Sequence, residues 1–478
     1  MTHYIGIFIL FLLLGSSPLF PEWHYSGKNT FDYFYSEKTN NKYTQNKTAL
    51  TIYDDEWRFE FNYLNPEQQP PFGYFIDYPE NERFHYLVSY EKHGVLIQTG
   101  TFYNSLGKGL VFNNADLRDI KIDNNIMGVM TVFNADDYTL KLLSGRPYNS
   151  EDQKRDLDII GLDLSKTVFE SDSKQVTWGV THAHYDYANN NIDNITAFSV
   201  YQDLYTDQGS LYYEYAKSNH KGALQNKNSH AHYVQTSVFL GNTTLISQYK
   251  DYQNFNLSLD NYFVQVAPTA IKTYSYTLPT KTIDAVYKET TFTLDNQSGY
   301  SIGSYSNIGD HLILELIWSQ EESQDGHIEY NDIYGQVDYD GFDHFLIKSG
   351  LGSQYRDTNP YEYINVIEDV TWFMSDTYQM QVILEHQKQG RKDLPKTHYY
   401  SYTLSLSKAN LGSLSYIREG DDIDNEVWDG VQLDLNVTKN GRVRAFVGKR
   451  QSGLRCIGGV CTNYPEFDGI ELGWEQVF

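Results

Sequence analysis

The stretch YYSYTLSLSKANLGSLSY, Tyr399 to Tyr416, reads as two strands joined by a tight turn. Successive side chains of a strand point to opposite faces. Tyr400, Tyr402, Leu404 and Leu406 therefore share one face, and Ser401, Thr403, Ser405 and Ser407 share the other. Beyond Lys408-Ala-Asn the pattern resumes, with Leu414 and Tyr416 set against Ser413 and Ser415. One such hairpin fits many folds. The fold is decided by whether the whole chain repeats it, and by which face meets water.

The chain does repeat it. Helical periodicity is almost absent, whereas segments with period-2 alternation recur to the end. They include Trp57–Tyr63, Arg83–Tyr90, Thr139–Leu143, Ala197–Tyr201, Ser210–Tyr215, Val234–Leu240, Gln379–Leu384 and Gly469–Trp474. Roughly 24 to 26 such segments fit the sequence. Their connections alternate in length. Asn134-Ala-Asp-Asp, Thr206-Asp-Gln-Gly, Asp340-Gly, Ser375-Asp, Lys408-Ala-Asn and Asn440-Gly read as hairpin turns, and Asn-Gly and Asp-Gly supply the positive φ that tight turns need. Between them lie long polar loops such as SGRPYNSEDQKRD, KSNHKGALQNKNSH and HQKQGRKDLPKTH.

A large sandwich has no reason to alternate short and long connections. An antiparallel transmembrane β-barrel does, with short turns on the periplasmic side and longer loops outside. In that fold the Tyr/Leu face meets lipid and the Ser/Thr face meets a wet lumen. The expectation is an all-β chain forming one large antiparallel barrel of about 24–26 strands. The strand number is even if both termini are periplasmic.

Composition agrees. Of 478 residues only 40% are hydrophobic, yet 42 are Tyr and 15% are aromatic, which suits half-buried strands better than a disordered chain. The net charge of −25 argues against nucleic acid, whose binding rests on Lys and Arg. It fits solvated acidic loops or attraction of cations.

The N-terminal run Ile5–Leu14 is too short to span a membrane as a helix and suits the core of a secretory signal, followed by Gly15, Ser16 and Ser17. The segment before it holds His3 but no Lys or Arg. Residues 1–20 are read as the signal peptide and 21–478 as a single barrel domain. At the other end Ile470, Leu472, Trp474 and Phe478 share one strand face. A terminal aromatic resembles the signal read by the barrel assembly machinery, for which Trp474 and Phe478 are the candidate residues. Gln476 departs from the apolar residue usual there. Cys456 and Cys461, in CIGGVC, lie outside metal and redox spacings. The intervening glycines allow a local disulfide, and two free thiols are the alternative.

Two stretches fit no hairpin: residues 103–125, with Gly107, Lys108, Gly109 and Arg118, and residues 267–289. A barrel of this size has a lumen wide enough to need filling or to conduct. Both stretches are candidates for folding inward; extra strands or surface loops are the alternative. Alternating segments begin by about Thr30, which leaves no separate plug domain of the TonB-dependent kind.

GTFYNSLGKGLVF (Gly100–Phe112) and IDNNIMGV (Ile122–Val129) resemble a family of outer-membrane β-barrel proteins from Bacteroidetes-type bacteria. So does the terminal stretch, with Cys456, Gly458, Gly459, Cys461, Pro465, Gly469 and Phe478 in the places of that family's signature. Asn113 and Thr462 stand where Arg is expected. The resemblance implies an outer-membrane location and an exposed cysteine loop, and it supplies no activity.

His182-Ala-His184 and His230-Ala-His232 are the most metal-like features, since residues i and i+2 share a strand face. Hairpin parity puts both at the outer ends of strands about three apart, where amphipathic rim residues are the plainer reading. Gly107-Lys-Gly109 is not a phosphate loop, because Leu110 follows; a tight turn near the lumen fits it. Glu321, Glu322, Asp325, Asp421, Asp422 and Asp424 fall in expected outer loops without calcium-loop spacing. No nucleophile set stands out, so an enzyme is not expected. The reading is an outer-membrane pore or transporter for solutes, with no cofactor. A structural or secretion-associated barrel that docks periplasmic or surface proteins is the first alternative, and a rim-located hydrolase the second. The expected partners are outer-membrane lipid and, during biogenesis, the assembly machinery.

Overall fold

The computed structural model describes residues 23–478 except 38–39, 67–82, 115, 118–121, 124, 149–154, 188–193, 221–228, 256, 258–275, 281–295, 324–327, 357–360, 392–393, 423–425, 452, 458–459 and 465. The signal segment and Arg118 lie outside these residues, as does most of the 267–289 stretch.

The first six barrel strands are β1 (His24–Ser36), β2 (Asn41–Tyr53), β3 (Trp57–Pro66), β4 (Phe84–Lys92), β5 (Val95–Phe102) and β6 (Ile126–Asn134). Next come β7 (Tyr138–Pro147), β8 (Leu157–Ser171), β9 (Lys174–Tyr187), β10 (Ile195–Thr206), β11 (Gly209–His220) and β12 (His230–Leu240). They are followed by β13 (Thr243–Gln253), β14 (Gln297–Ile308), β15 (Leu312–Ser323), β16 (Ile328–Phe342), β17 (Phe345–Arg356) and β18 (Tyr361–Phe373). The last six are β19 (Tyr378–Arg391), β20 (Thr397–Lys408), β21 (Gly412–Asp421), β22 (Val427–Thr438), β23 (Gly441–Arg450) and β24 (Phe467–Val477).

Each strand pairs antiparallel with its sequence neighbours, and β1 pairs with β24 from Lys28↔Val477 to Ser36↔Gly469, which closes a 24-stranded barrel. The count falls within the sequence expectation. Both termini lie at the end that carries the short turns, and the longer connections lie at the other, which also has brief links between β1 and β2, β15 and β16, and β17 and β18. One expected turn moves. Asp340-Gly lies inside β16, whose register shifts between Tyr339 and Phe342, and Asp343-His344 makes the turn instead.

The opening hairpin answers its own question. Leu404 is 48% exposed and Ser405 8%. The same parity runs round the closed register, so exposed apolar residues such as Leu404, Leu414 and Tyr416 face outward and their alternating neighbours face the lumen. A ring of aromatic side chains, including Trp57, Phe133, Tyr138, Phe345, Trp372 and Tyr378, stands beside the short turns. Lys166 sits over the Tyr138 ring at 4.6 Å and Lys408 over Tyr378 at 5.3 Å. This arrangement marks the edge of an apolar band in which rings and snorkelling lysines share the interface. No helix among the described residues is long and apolar enough to cross a membrane. In lipid every backbone donor needs a partner within the protein, and a closed barrel provides one without leaving an edge.

A three-stranded sheet lies outside the main ladder. Its members, Tyr276–Thr280, Gly453–Ile457 and Val460–Tyr464, pair in that order. Cys456 and Cys461 are direct register partners in it.

Candidate functional site

The densest packing inside the barrel is not made by strands alone. After β5 the chain turns inward. Ser105–Leu106 pairs with Phe112–Asn113 in a miniature hairpin, closed at its base by Asn104 and Asn114. The Asn104 amide donates to Asn114 Oδ1 at 2.6 Å, and the Asn114 amide to the Asn104 carbonyl at 3.1 Å. Its tip needs two glycines, since Gly107 and Gly109 have φ of +57° and +98°, values that side chains with a Cβ rarely adopt. A Cβ at Gly107 would also stand 2.9 Å from Glu214 Oε1.

The tip is anchored to the wall by carboxylates. The Gly107 amide donates to Asp163 Oδ2 at 3.0 Å, and the Lys108 amide to Glu214 Oε2 at 3.1 Å. Glu214 also accepts from Ser199 Oγ at 2.7 Å and Tyr212 OH at 2.7 Å, while Tyr201 OH donates to Asp163 Oδ1 at 2.9 Å. Lys141 Nζ donates to Asn104 Oδ1 at 2.9 Å and to the Ser105 carbonyl at 3.0 Å, and Tyr185 OH donates to the Val111 carbonyl. A carboxylate held by several donors is a strong fixed point.

The seat for the segment is cut by small residues. Gly161, Ala183 and Ala197 are successive register partners on β8–β10, and Ser199, Ala216 and Ala231 on β10–β12, all inward-facing. Leu106, Leu110, Val111 and Phe112 are fully buried in one cluster with Leu143, Ile159, Tyr185 and Tyr212. Asp163 and Glu214 lie six residues from the outer ends of β8 and β11, about 20 Å along each strand. The turn thus reaches roughly half-way down the barrel wall.

Much of the remaining wall is polar, apart from an inward cluster of Phe34, Tyr43, Phe446 and Phe467. Lys250 pairs with Glu321 at 2.6 Å, both side chains almost fully buried. Asn365 Nδ2 donates to Glu385 Oε1 at 2.6 Å, Gln387 Nε2 to Tyr363 OH at 3.1 Å, and Arg444 Nε to Asp434 Oδ1 at 3.1 Å. Glu321 and Asp421 are therefore strand residues facing the lumen rather than members of outer loops, because β15 and β21 run further than the polar sequence suggests.

The histidine pairs face away from all of this. His182 and His184 share the outward face of β9 with Trp178, and His230 and His232 that of β12. They sit near the outer ends of strands three apart. His184 Nδ1 meets Thr196 Oγ1 at 3.1 Å, and His232 Nδ1 meets Tyr213 OH at 3.1 Å. A different pair, His386 and His398, brings ring nitrogens 3.1 Å apart across the neighbouring strands β19 and β20. Among the described residues no three His, Cys, Asp or Glu side chains are grouped to hold a metal ion. Trp474 and Phe478 also face outward. The Phe478 ring covers Gly27, and the two residues exchange backbone hydrogen bonds of 2.8 and 3.0 Å.

Sequence reasoning singled out Gly107–Gly109 but missed Asp163, Ser199, Tyr201, Tyr212 and Glu214. The available signal was parity. Asp163 and Glu214 are carboxylates at inward mid-strand positions, and Glu214 interrupts the run Tyr212-Tyr-Glu-Tyr215.

Residues 25–359 match the profile of a family of unknown function (DUF6029), and the chain belongs to that family. No curated protein matches the sequence. Among solved structures, an Escherichia coli P pilus tip assembly intermediate, PapC-PapD-PapK-PapG, aligns with a TM-score of 0.55 at 9% identity, over 96% of this chain and 60% of that one. The siderophore receptor PirA of Pseudomonas aeruginosa aligns at 0.44 and 7% identity, over 95% of this chain and 80% of that one. OpdK of the same organism, with vanillate, aligns at 0.44 and 9%, over 77% and 99%. At these identities the likeness is one of fold. The closed barrel and its lipid-facing band make the chain an outer-membrane protein.

Proposed function

We propose that this DUF6029 member is a solute pore of the outer membrane whose lumen is narrowed by the inward turn at Gly107–Gly109. A barrel of 24 strands encloses a lumen far wider than its side chains fill. The supporting observation is the anchorage of the turn. Backbone amides of two successive residues are held by carboxylates on two separate strands, with an apolar cluster packed behind them. A segment fixed so firmly at mid-height sets the width through which a solute passes, and the polar inward faces of β14–β24 offer that solute a wet path. Solute identity, and any protein that docks on the outer loops, belong to the same proposal.

The test is ion conductance of the refolded full chain in a planar bilayer, with Glu214→Ala beside the wild type. The wild type is expected to conduct, and the variant, with its turn released, to conduct in steps several times larger. If neither protein conducts, although heat-modifiable gel mobility shows both to be folded, the pore reading fails. Equal conductance in the two would detach the turn from the width of the path.

A further inference from the structure

The three-stranded sheet outside the main ladder joins parts of the chain that the barrel holds far apart. Tyr276–Thr280 belongs to the connection between β13 and β14, and Gly453–Ile457 and Val460–Tyr464 to the connection between β23 and β24. Those two connections leave the outer end of the wall ten strands apart on a ring of 24, close to opposite sides of the mouth. Tyr276 nevertheless pairs with Cys456 and Thr280 with Leu454, so the sheet bridges the arc between them. It also lies against β19 and β20, near the middle of that arc. The wall there is covered from within. On the outer half of β19 and β20 the inward residues Glu385, Gln387, Gln389 and Ser401 are buried, whereas Gln379, Gln381 and Ile383, nearer the short turn of β19, are half-buried. A sheet resting on the outward face would leave the two sets alike.

We propose that a disulfide between Cys456 and Cys461 staples this sheet across the outer half of the lumen and makes it a redox-sensitive gate. The two residues are directly opposed in the ladder of their hairpin, one step in from Ile457 and Val460. Opposed residues of an antiparallel pair have Cα atoms about 4.5–5.5 Å apart, inside the range of roughly 4.4–6.8 Å that a disulfide spans. Cys456 is also the register partner of Tyr276, so the staple sits at the seam between the two connections. A two-stranded hairpin is marginal in water by itself, and the pairing that carries Tyr276–Thr280 across needs a formed hairpin as its template. Bond formation joins the two sulfurs and releases two protons and two electrons. A second disulfide takes them up by exchange and leaves as two thiols, and a thiol reductant reverses the step. The outer membrane lies in a compartment where disulfides persist. The gate rests on the reading of the lumen as a solute path, whereas the staple does not.

The test uses the full chain refolded in detergent and treated with glutathione disulfide or with dithiothreitol. Alkylation counts the thiols, and hydrogen exchange followed by mass spectrometry reads residues 276–280 and 453–464. The oxidised chain is expected to show no alkylatable cysteine and the reduced chain both. Exchange in the two segments is expected to be roughly tenfold faster after reduction. The double variant Cys456→Ser/Cys461→Ser is expected to exchange like the reduced chain under both treatments, with folding checked by heat-modifiable gel mobility. In planar bilayers the reduced chain is expected to conduct in larger steps than the oxidised one, and the double variant to match the reduced chain. Cysteines that remain alkylatable after oxidation of the folded chain overturn the proposal, as does exchange at 276–280 that is the same with and without the disulfide. Equal conductance in the two states of a conducting barrel overturns the gate. A barrel that passes no current in either state, but whose exchange follows the redox treatment, sinks the pore reading and the gate with it, while the staple stands.

Discussion

Beyond β1–β4, the barrel wall has two parts that treat the same lumen differently. On β5–β13 the inward faces of the outer half carry small and apolar residues, among them Ile126, Leu143, Ile159, Ala183, Ala197 and Ala216, and a segment of the chain packs on them. On β14–β24 the inward faces carry mostly amides, hydroxyls and acids joined across strands, such as Ser405 to Ser415 at 2.8 Å and Gln381 to Asp369 at 2.9 Å, with Trp428, Phe446 and Phe467 among them near the outer end. The outward faces of both parts look alike. The difference teaches that lipid constrains only one side of each strand. The inner side is free to become either a dry seat or a wet wall, and this chain has made one of each.

The sharpest test of the contrast sits where the parts meet. Lys250 on β13 reaches past β14 to Glu321 on β15, with side-chain exposures of 2% and 0%. Lys250→Ala removes the cation from a buried ion pair, and a loss of about 3–5 kcal/mol is expected. The double replacement Lys250→Met/Glu321→Leu should recover most of it. Denaturant unfolding of both variants in detergent measures the difference; equal losses in the two would mean that the pair is not the junction it resembles.

The outer face gives the next effect. Leu404→Lys places a charge on the lipid side near mid-strand and is expected to cost about 2–4 kcal/mol, whereas Thr403→Lys, one residue away on the lumen side, should cost far less. Refolding yields and unfolding midpoints in lipid vesicles read the two against each other. Comparable losses would break the assignment of faces.

The seat itself is probed by glycine. A Cβ at Gly161 would lie 2.9 Å from Leu106 Cδ1 and 3.0 Å from Leu143 Cγ, so Gly161→Ala presses on the inward segment. The expected cost is about 1–3 kcal/mol, accompanied by faster hydrogen exchange at residues 104–114. Gly473→Ala, on the inward face of β24, meets only ordinary contacts of 3.5 Å or more and should change stability by less than about 0.5 kcal/mol. If the two alanines behave alike, the segment is not packed on its seat.

The smallest effect is expected at the outer rim. His232 hydrogen-bonds Tyr213 on the lipid-facing side, away from both lumen walls. His232→Ala should cost at most about 1 kcal/mol and leave conductance unchanged. A change in conductance would tie the rim to the lumen.

Much of this is legible in the sequence. Tyr402, Leu404 and Leu406 against Ser401 and Ser405 announced two faces, and the turns at Lys408-Ala-Asn and Asn440-Gly announced hairpins. The stretch around Gly107 and Gly109 stood out as one that fitted no barrel hairpin. The Asp340-Gly turn failed because a local dipeptide cannot report that β16 continues to Phe342 and that its ladder slips on the way. The outer-loop reading of Glu321 and Asp421 failed for a related reason. A polar residue at the end of a lumen-facing strand looks the same in sequence as one in a loop.

What the sequence determined by itself is whatever depends on neighbours along the chain. Side-chain alternation has a period of two residues, and turn residues set each hairpin locally, so the strand number to within about two and the lipid-facing side follow from reading in order. The tertiary structure alone decided what meets inside. Asp163 and Glu214 are 51 positions apart and reach the same turn only because β8 through β11 pair in one register. Lys28 and His85 share a cavity only because four ladders align their inward faces. Register adds from strand to strand round a closed sheet, and a slip of one residue at any ladder reverses the face of every side chain beyond it. The lumen is therefore a property of the whole ring, whereas the strands are properties of their own short stretches.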